Sequence, residues 1–254
     1  MWIPFWTVFA KETRRFLRIW MHTILAPILT GFLYLVIFGE ALSKHLPLYE
    51  GVSYIDFIIP GLIMMSVLQN AFANTASSII QAKIGGSLAF LLTPQIPGAV
   101  LGIAFLLSSS VRAVLVGVGL YAVCIYWSMP PVKEPLLLIF FGLAGTLMMA
   151  SYGLITALWA EKYDQMGAVQ NFVIMPLTFL SGVFYSINSL PGIWQTISRW
   201  NPFYYLVDGF RAGFLGTGAV DPYASLGVVV VATALSMWLA LDWLAYSQLI
   251  RINN

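Results

Sequence analysis

The chain has 254 residues, of which 60% are hydrophobic and 9% charged, and its net charge is +2. A soluble domain carries about 25% charged residues, so this chain lacks the charge that a water-exposed surface requires and is predicted to be an integral membrane protein. Its few Lys and Arg residues are dispersed along the chain, which leaves no basic face for nucleic acid.

The first 19 residues are predicted to form an amphipathic helix at the membrane interface. In WIPFWTVFAKETRRFLRIW, residues 2–20, aromatic side chains recur at helical spacing with basic residues between them, a pattern typical of helices that lie in the interface plane. The same basic cluster could instead serve only as the flank that orients the first span. Because the apolar run that follows is long enough to span, we expect an uncleaved anchor rather than a signal peptide.

Six apolar segments long enough to cross a bilayer follow along the chain. They are residues 20–39, 55–80, 99–127, 135–160, 168–185 and 224–249. Pro27 and Pro176 fall inside the first and fifth segments, where neighbouring helices can satisfy the carbonyl that each proline frees. The sequence therefore predicts an all-α membrane protein with six transmembrane helices.

The distribution of Lys and Arg predicts the orientation, because cytoplasmic segments carry the excess of these residues. With the N-terminus inside, seven Lys and Arg residues fall on the inner side and four on the outer side. We therefore expect both termini in the cytoplasm, with residues 81–97 inside and 186–216 outside.

Residues 186–216 are predicted to form two short re-entrant helices between the fifth and sixth spans. Asn201 can cap the second helix, and Pro202 already has the helical φ. Asp208 and Arg211 lie three residues apart, and we expect this pair at the wet outer rim. It could be a local ion pair worth a few tenths of a kcal/mol, or it could take part in gating.

Polar residues inside the spans mark a second region of interest. Ser66, Asn70 and Asn74 follow the spacing of one helix face, which could line a passage or form hydrogen bonds to other helices. Arg112 lies near the middle of the third span, where a charge is costly and marks a pathway or a partner. We do not expect it to pair with Asp242, because the guanidinium would have to reach inward by most of its length.

Residues 81–97 form the only inner segment long enough to present a structured element to a cytosolic partner. Lys83, Gly85 and Gly86 precede SLAFLL, residues 87–92, and Pro94 ends the short helix predicted there. An exposed apolar helix needs a cover. It could lie flat in the interface or dock onto a soluble subunit.

The whole pattern resembles the permease subunit of an ABC-2 type transporter, a family of drug, polysaccharide and lipid-linked exporters. The resemblance covers nearly the whole chain. Three stretches carry it: ETRRFLRIW, YIDFIIPGLIMMSVLQNAFANTASSII and PLTFLSGVFYSINSLPGIWQTISRWNPFYYLVDGFRAGFLG. The third, residues 176–216, is the most specific.

The resemblance implies a role for each segment. Residues 1–19 would be the interfacial connecting helix, 81–97 the loop with the coupling helix that seats on the ATPase, and 186–216 the external gate helices. The implied coupling residues are Lys83, Ile84, Gly85, Gly86, Ser87, Leu88, Leu91, Leu92 and Pro94. The implied gate residues are Trp194, Arg199, Asn201, Pro202, Asp208 and Arg211, and the candidate pathway residues are Ser66, Asn70, Asn74 and Arg112. Related permeases commonly carry acidic residues in the coupling helix, whereas residues 87–92 have none, so coupling here would depend on apolar docking beside Lys83.

The resemblance also implies the partners and the location. We expect a homodimer of permeases in the bacterial inner membrane, in contact with lipid and with two separately encoded ATPase subunits. The chain has no GxxxxGK[ST] motif, so it is not expected to be an enzyme or to bind a cofactor, and ATP and Mg would bind to the partner. The exported substrate would be amphipathic or hydrophobic.

The alternative from another functional class is a secondary transporter or channel driven by an ion gradient. Such a protein would carry inverted repeats or ionisable residues in several spans, and the sequence shows neither. A membrane-embedded enzyme would need a cluster of catalytic groups, which two isolated histidines do not supply.

Overall fold

The computed structural model describes residues 2–40, 52–88 and 96–252, and within these ranges the chain is all-helical. We number the helices in chain order. Helix α1 is Trp2–Arg18, and α2 joins Met21–Leu25, Ala26–Tyr34 and Leu35–Glu40. Helices α3, α4 and α5 are Tyr54–Ile84, Gly98–Cys124 and Pro135–Trp159; α6 joins Tyr163–Val169, Gln170–Ile174 and Met175–Phe179; α7, α8 and α9 are Gly192–Trp200, Pro202–Leu215 and Pro222–Ile252.

Five helices in the described part of the chain are long and apolar enough to cross a membrane. They are Met21–Gly39, Tyr54–Ile84, Gly98–Cys124, Pro135–Trp159 and Pro222–Ser247. Helix α6, in the place of the predicted fifth span, has segments of seven, five and five residues. Its length of about 26 Å is less than the hydrocarbon thickness of about 30 Å, so the sixth span stays a prediction.

The boundaries of α6 differ from the predicted 168–185. The helix already begins at Tyr163, inside the segment that we expected to be a loop, and it ends at Phe179. Residues 180–186 turn away, and Gly182 adopts a φ of 76°, a left-handed conformation that stops a helix and that favours glycine. The prediction placed the end of the span later, at residue 185, because it followed the hydropathy of these residues and not their backbone geometry.

Two of the prolines inside the predicted spans, Pro27 and Pro176, lie just after a stretch of wider, π-type helix. Met21–Leu25 precedes Pro27, and Gln170–Ile174 precedes Pro176. A proline offers no N–H to the carbonyl four residues earlier, and a π turn is one local adjustment to that loss. The carbonyl of Thr23, four residues before Pro27, instead accepts a hydrogen bond of 3.1 Å from Arg112 Nε on α4. A neighbouring helix thus satisfies the freed group, as we predicted.

Helix α3 lies at the centre of the bundle. Within its most apolar stretch 83% of the residues are buried, against 17% for α2 and 28% for α9. It packs against α4, α5 and α8, while α9 packs on α5 and α4. The contact between α3 and α5 depends on glycine: a Cβ on Gly153 of α5 would lie 2.5 Å from the Phe72 carbonyl oxygen. The backbones of these two helices therefore approach closely.

Helix α1 is amphipathic, as predicted, and it packs on α4. Its buried face consists of Val8, Glu12 and Phe16, whereas Trp2 and Trp6 are exposed. The aromatic residues that we placed on one face therefore divide between the bundle and the surroundings. The location of α1 at a membrane interface stays a prediction.

We expect Gly153→Ala to destabilise the bundle, because the new methyl group would overlap the backbone of α3. Overpacking of this kind costs about 1–3 kcal/mol. The control is Gly227→Ala on α9, where a Cβ would meet nothing within 4 Å and should change stability little. Thermal aggregation of the detergent-purified protein measures both variants, and equal midpoints would contradict the close α3–α5 contact.

Candidate functional site

Two buried polar clusters contact α3 at different heights, and the predicted coupling segment follows its C-terminal end. We call the first the Arg112 network, formed by Glu12, Arg15, Asn70, Asn74 and Arg112. The second is the Arg211 cluster, formed by Asp208, Arg211 and Phe57. Phe57 and Asn70 are 13 positions apart in one helix, or about 20 Å along the axis.

The guanidinium group of Arg112, on α4, lies at the centre of the Arg112 network. Besides its bond to the Thr23 carbonyl, Arg112 donates from Nη2 to Asn70 Oδ1 at 3.0 Å and from Nη1 to Asn74 Oδ1 at 3.3 Å. The side chain is only 8% exposed. An arginine carries its charge under all conditions, so these three oxygen acceptors replace the hydration that a buried guanidinium loses.

Arg15 extends the network to α1. It donates from Nη2 to Asn74 Oδ1 at 2.9 Å and from Nε to Glu12 Oε2 at 2.9 Å. Glu12, which is 1% exposed, also accepts a hydrogen bond from Ser78 of α3. Asn74 therefore receives donors from two arginines on two different helices, and Glu12 supplies the negative charge beside them.

Three of the four predicted pathway residues, Asn70, Asn74 and Arg112, meet in this network. The fourth, Ser66, is buried on the same helix, and its carbonyl accepts from Asn70 Nδ2 at 2.9 Å. Among the described residues, the side chain of Arg112 donates to Asn70, Asn74 and the Thr23 carbonyl, and the absence of a bridge to Asp242 stays a prediction.

Glu12 and the specific role of Arg15 were not predicted from the sequence. A usable signal was present, because Glu12 is an acidic residue in a basic helix and lies four positions from both Val8 and Phe16. That spacing places a carboxylate on the apolar face, where a partner is needed.

The Arg211 cluster contradicts the wet rim that we expected. Asp208 is 2% exposed and Arg211 is 5% exposed. The reason is that α8 packs against α3, α5 and α9, which covers both of its faces. The two side chains are 4.0 Å apart at Asp208 Oδ1 and Arg211 Nη1, and each forms most of its contacts elsewhere.

Arg211 fastens α8 to α3 and to the turn after α6. It donates from Nη2 to the Gly182 carbonyl at 2.8 Å and from Nε to the Phe57 carbonyl at 3.2 Å. Its guanidinium carbon lies 3.8 Å from the centre of the Phe57 ring, within the range of a cation–π contact. Gly61 permits this approach, because a Cβ there would lie 2.7 Å from the Val183 carbonyl oxygen.

Asp208 holds the segment that follows α8. Its carboxylate accepts hydrogen bonds from the backbone N–H groups of Ala219 at 3.1 Å and Val220 at 3.0 Å. A cavity of about 30 Å³ lies beside it, lined in part by Tyr204, and this volume suffices for a bound water. Burial, and after it the Asp208 carboxylate, raise the pKa of the Tyr204 phenol to about 12, so the phenol remains protonated.

The other predicted gate residues divide between the core and the surface. Asn201 caps α8 as predicted, accepting from Phe203 N at 3.0 Å, and its Nδ2 donates to the Leu177 carbonyl of α6 at 2.6 Å. Pro202 is the first residue of α8. Trp194 and Arg199 are exposed on α7 and do not join the Arg211 cluster.

Of the predicted coupling segment, residues 81–88 and 96–97 are described; Leu91, Leu92 and Pro94 lie outside the described residues. Lys83 Nζ donates to the carbonyl oxygens of Leu158 at 2.7 Å and Ala160 at 2.9 Å, where α5 ends. A lysine there complements the negative end of the helix dipole. Lys83 thus ties α3 to α5 rather than pointing outward as an isolated charge.

The residues between Lys83 and Leu88 leave the end of α3 through two glycines. Gly85 caps α3, and Gly86 has a φ of 70°. Ile84 and Ser87 are exposed, whereas Leu88 is buried. The backbone therefore turns sharply at the point where the coupling segment begins.

Known proteins resemble this chain in sequence. The sequence profile described as ABC-2 type transporter matches residues 4–215. The chain is 36% identical over 230 residues to the inner membrane transport permease YadH of Escherichia coli (strain K12), covering 91% of this chain and 90% of that protein. It is 26% identical over 254 residues to nodulation protein J of Rhizobium meliloti (strain 1021), covering 94% and 90%. The chain therefore belongs to the ABC-2 type transporter family and is an inner-membrane subunit of an ABC transporter.

Proposed function

We propose that this chain is the permease of an ATP-driven exporter that moves an amphipathic or hydrophobic substrate out of the cytoplasm. It works as a homodimer with two separate ATP-binding subunits, which bind ATP and Mg and hydrolyse the nucleotide. Both termini and residues 81–97 are cytoplasmic, and residues 186–216 form the external gate. The family membership and the name of the transport permease from Escherichia coli support transport as the activity.

The single observation that carries the mechanism is the placement of three sites on α3. The coupling segment leaves its C-terminal end, Asn70 and Asn74 lie in its middle, and Phe57 near its N-terminal end contacts Arg211. With 31 residues, α3 is about 46 Å long. A displacement of the coupling segment by the ATPase would move this rod and shift the gate helix α8 at its other end.

The Arg112 network joins the connecting helix α1 to the same rod. A movement of α1 relative to α3 would stretch the bonds that Arg15 donates to Asn74 and that Ser78 donates to Glu12. Because an unpaired buried charge is costly, the two helices should move together rather than slide past each other. The network thus has a mechanical role in the proposal, and the pathway role of Ser66, Asn70, Asn74 and Arg112 stays a prediction.

Reconstitution with the cognate ATPase tests the activity. The pair in lipid vesicles should hydrolyse ATP faster when lipids or amphiphiles of the transported class are added, and it should move them only with ATP. Transport that is driven by an ion gradient without ATP would overturn the proposal in favour of a secondary transporter.

Replacing Leu91 and Leu92 with Asp should abolish co-purification with the ATPase, because two carboxylates cannot be buried in an apolar contact. The matched control is Lys162→Glu, which adds negative charge at the exposed α5–α6 junction and should leave assembly intact. Undiminished co-purification of the double Asp variant would show that the ATPase does not bind these residues.

Arg112→Ala should impair transport more than it impairs folding. The substitution leaves the Asn70 and Asn74 side-chain oxygens and the Thr23 carbonyl without this donor, at a cost of about 1–3 kcal/mol. Arg18→Ala, on the exposed side of α1, is the control. Transport rates are measured per assembled pair in vesicles, and normal transport by the Arg112 variant would restrict Arg112 to a structural role.

A further inference from the structure

A deep apolar groove opens between α4 and α5 outside both polar clusters. Its volume is about 410 Å³. Its walls come from α4 and α5, its floor from α3, and one end from α8. The lining residues include Val118, Tyr121, Ile139, Leu143, Phe210 and Phe214. Val118 and Ile139 at its edges are 61% and 55% exposed, so the groove is open toward the surroundings of the bundle.

The position of the groove identifies its surroundings as lipid. Along α5 it extends from Pro135 to Leu143, about 12 Å, which is less than half of a hydrocarbon core about 30 Å thick. Both flanking helices are candidate spans. The groove therefore lies within one leaflet, the one nearest to the α4–α5 connection.

The width of the groove favours an acyl chain over a helix of a second copy. Helices α4 and α5 contact each other, and packed helices lie about 8–10 Å apart. A third helix, about 10–12 Å across with its side chains, can lie over such a groove but does not reach the floor between the two walls. A flexible hydrocarbon chain does, and it fits a groove with apolar walls.

An exposed lysine lies beside the mouth of the groove, and its side-chain stem passes over Gly216 at the end of α8. Val132 and Pro135 both line the groove, and Lys133 between them is exposed. The backbone N–H groups of Lys133 and Glu134 donate to the carbonyls of Phe214 and Gly213, at 3.3 and 2.9 Å, which fixes this connection to the end of α8. An ammonium group at the membrane surface above an apolar slot matches a lipid phosphate above its acyl chain.

We propose that this groove is a binding site for one membrane glycerophospholipid, with an acyl chain between α4 and α5 and its phosphate at Lys133. The bound chain contacts Phe210 and Phe214 of α8. Because Arg211 holds an adjoining face of the same helix, a displacement of α8 reshapes the groove. Occupancy therefore couples the lipid of that leaflet to the position of α8, whatever the exported substrate is.

Photo-crosslinking tests the site on the full-length protein in vesicles of phosphatidylethanolamine and phosphatidylglycerol. A trace of phosphatidylethanolamine carries a diazirine in its acyl chain, and adducts are mapped by mass spectrometry. We expect severalfold more labelling of the peptides that contain Val118 and Ile139 than of the α9 peptide that contains Leu235. Leu235 is 53% exposed and serves as the reference for an ordinary lipid-facing position. Val118→Trp with Ile139→Trp should remove that excess and leave the α9 labelling unchanged.

Two further variants separate the alternatives. Lys133→Gln should lower the groove labelling without changing the α9 labelling, and Leu235→Trp should leave the groove labelling intact. Equal labelling of all exposed surfaces would show that lipid contacts the groove no more than any other surface of the bundle, and would overturn the proposal. Crosslinking between two copies through Val118→Cys would also overturn it, because a second copy would then occupy the groove.

Discussion

The hydrogen bonds around α3 depend on one constraint: inside a membrane, a polar group must find its partner within the protein. Arg112 and Arg15 carry permanent charges, and they converge on Asn74 of this central helix. Glu12 supplies the opposite charge from α1. These bonds fix the arrangement of α1, α2, α3 and α4 more specifically than apolar packing does, because lipid is as apolar as the helix surfaces.

The same constraint explains the Arg211 cluster. Arg211 donates to the backbone carbonyls of Phe57 and Gly182, and Asp208 accepts from the backbone of Ala219 and Val220. Arg211 is thus satisfied by carbonyls of the first turn of α3 and of the turn after α6, and Asp208 by N–H groups of the segment that follows α8. In our proposal the cluster lets α8 respond as one body with the end of α3 when the gate opens.

Local signals in the sequence predicted much of this structure. The cap at Asn201 and the start at Pro202 follow from the chemistry of those residues, and α8 begins there. Asn70, Asn74 and Arg112 were predicted as buried polar residues because helical periodicity assigns a face. Periodicity does not assign the neighbour on that face, so the contribution of Glu12 and Arg15 was missed. For Asp208 and Arg211 the local spacing suggested a surface pair, whereas packing on three helices buries both.

A double-mutant cycle with Glu12→Gln and Arg112→Met measures most directly whether α1, α3 and α4 act as one unit. Transport by the reconstituted permease and its ATPase is compared for both single variants and the double variant, per assembled pair. In the described part of the chain, hydrogen bonds connect the two side chains through Arg15 and Asn74, so the network predicts an interaction energy above about 0.5 kcal/mol. Additive effects of the two substitutions would contradict a mechanical link between the connecting helix and the central rod.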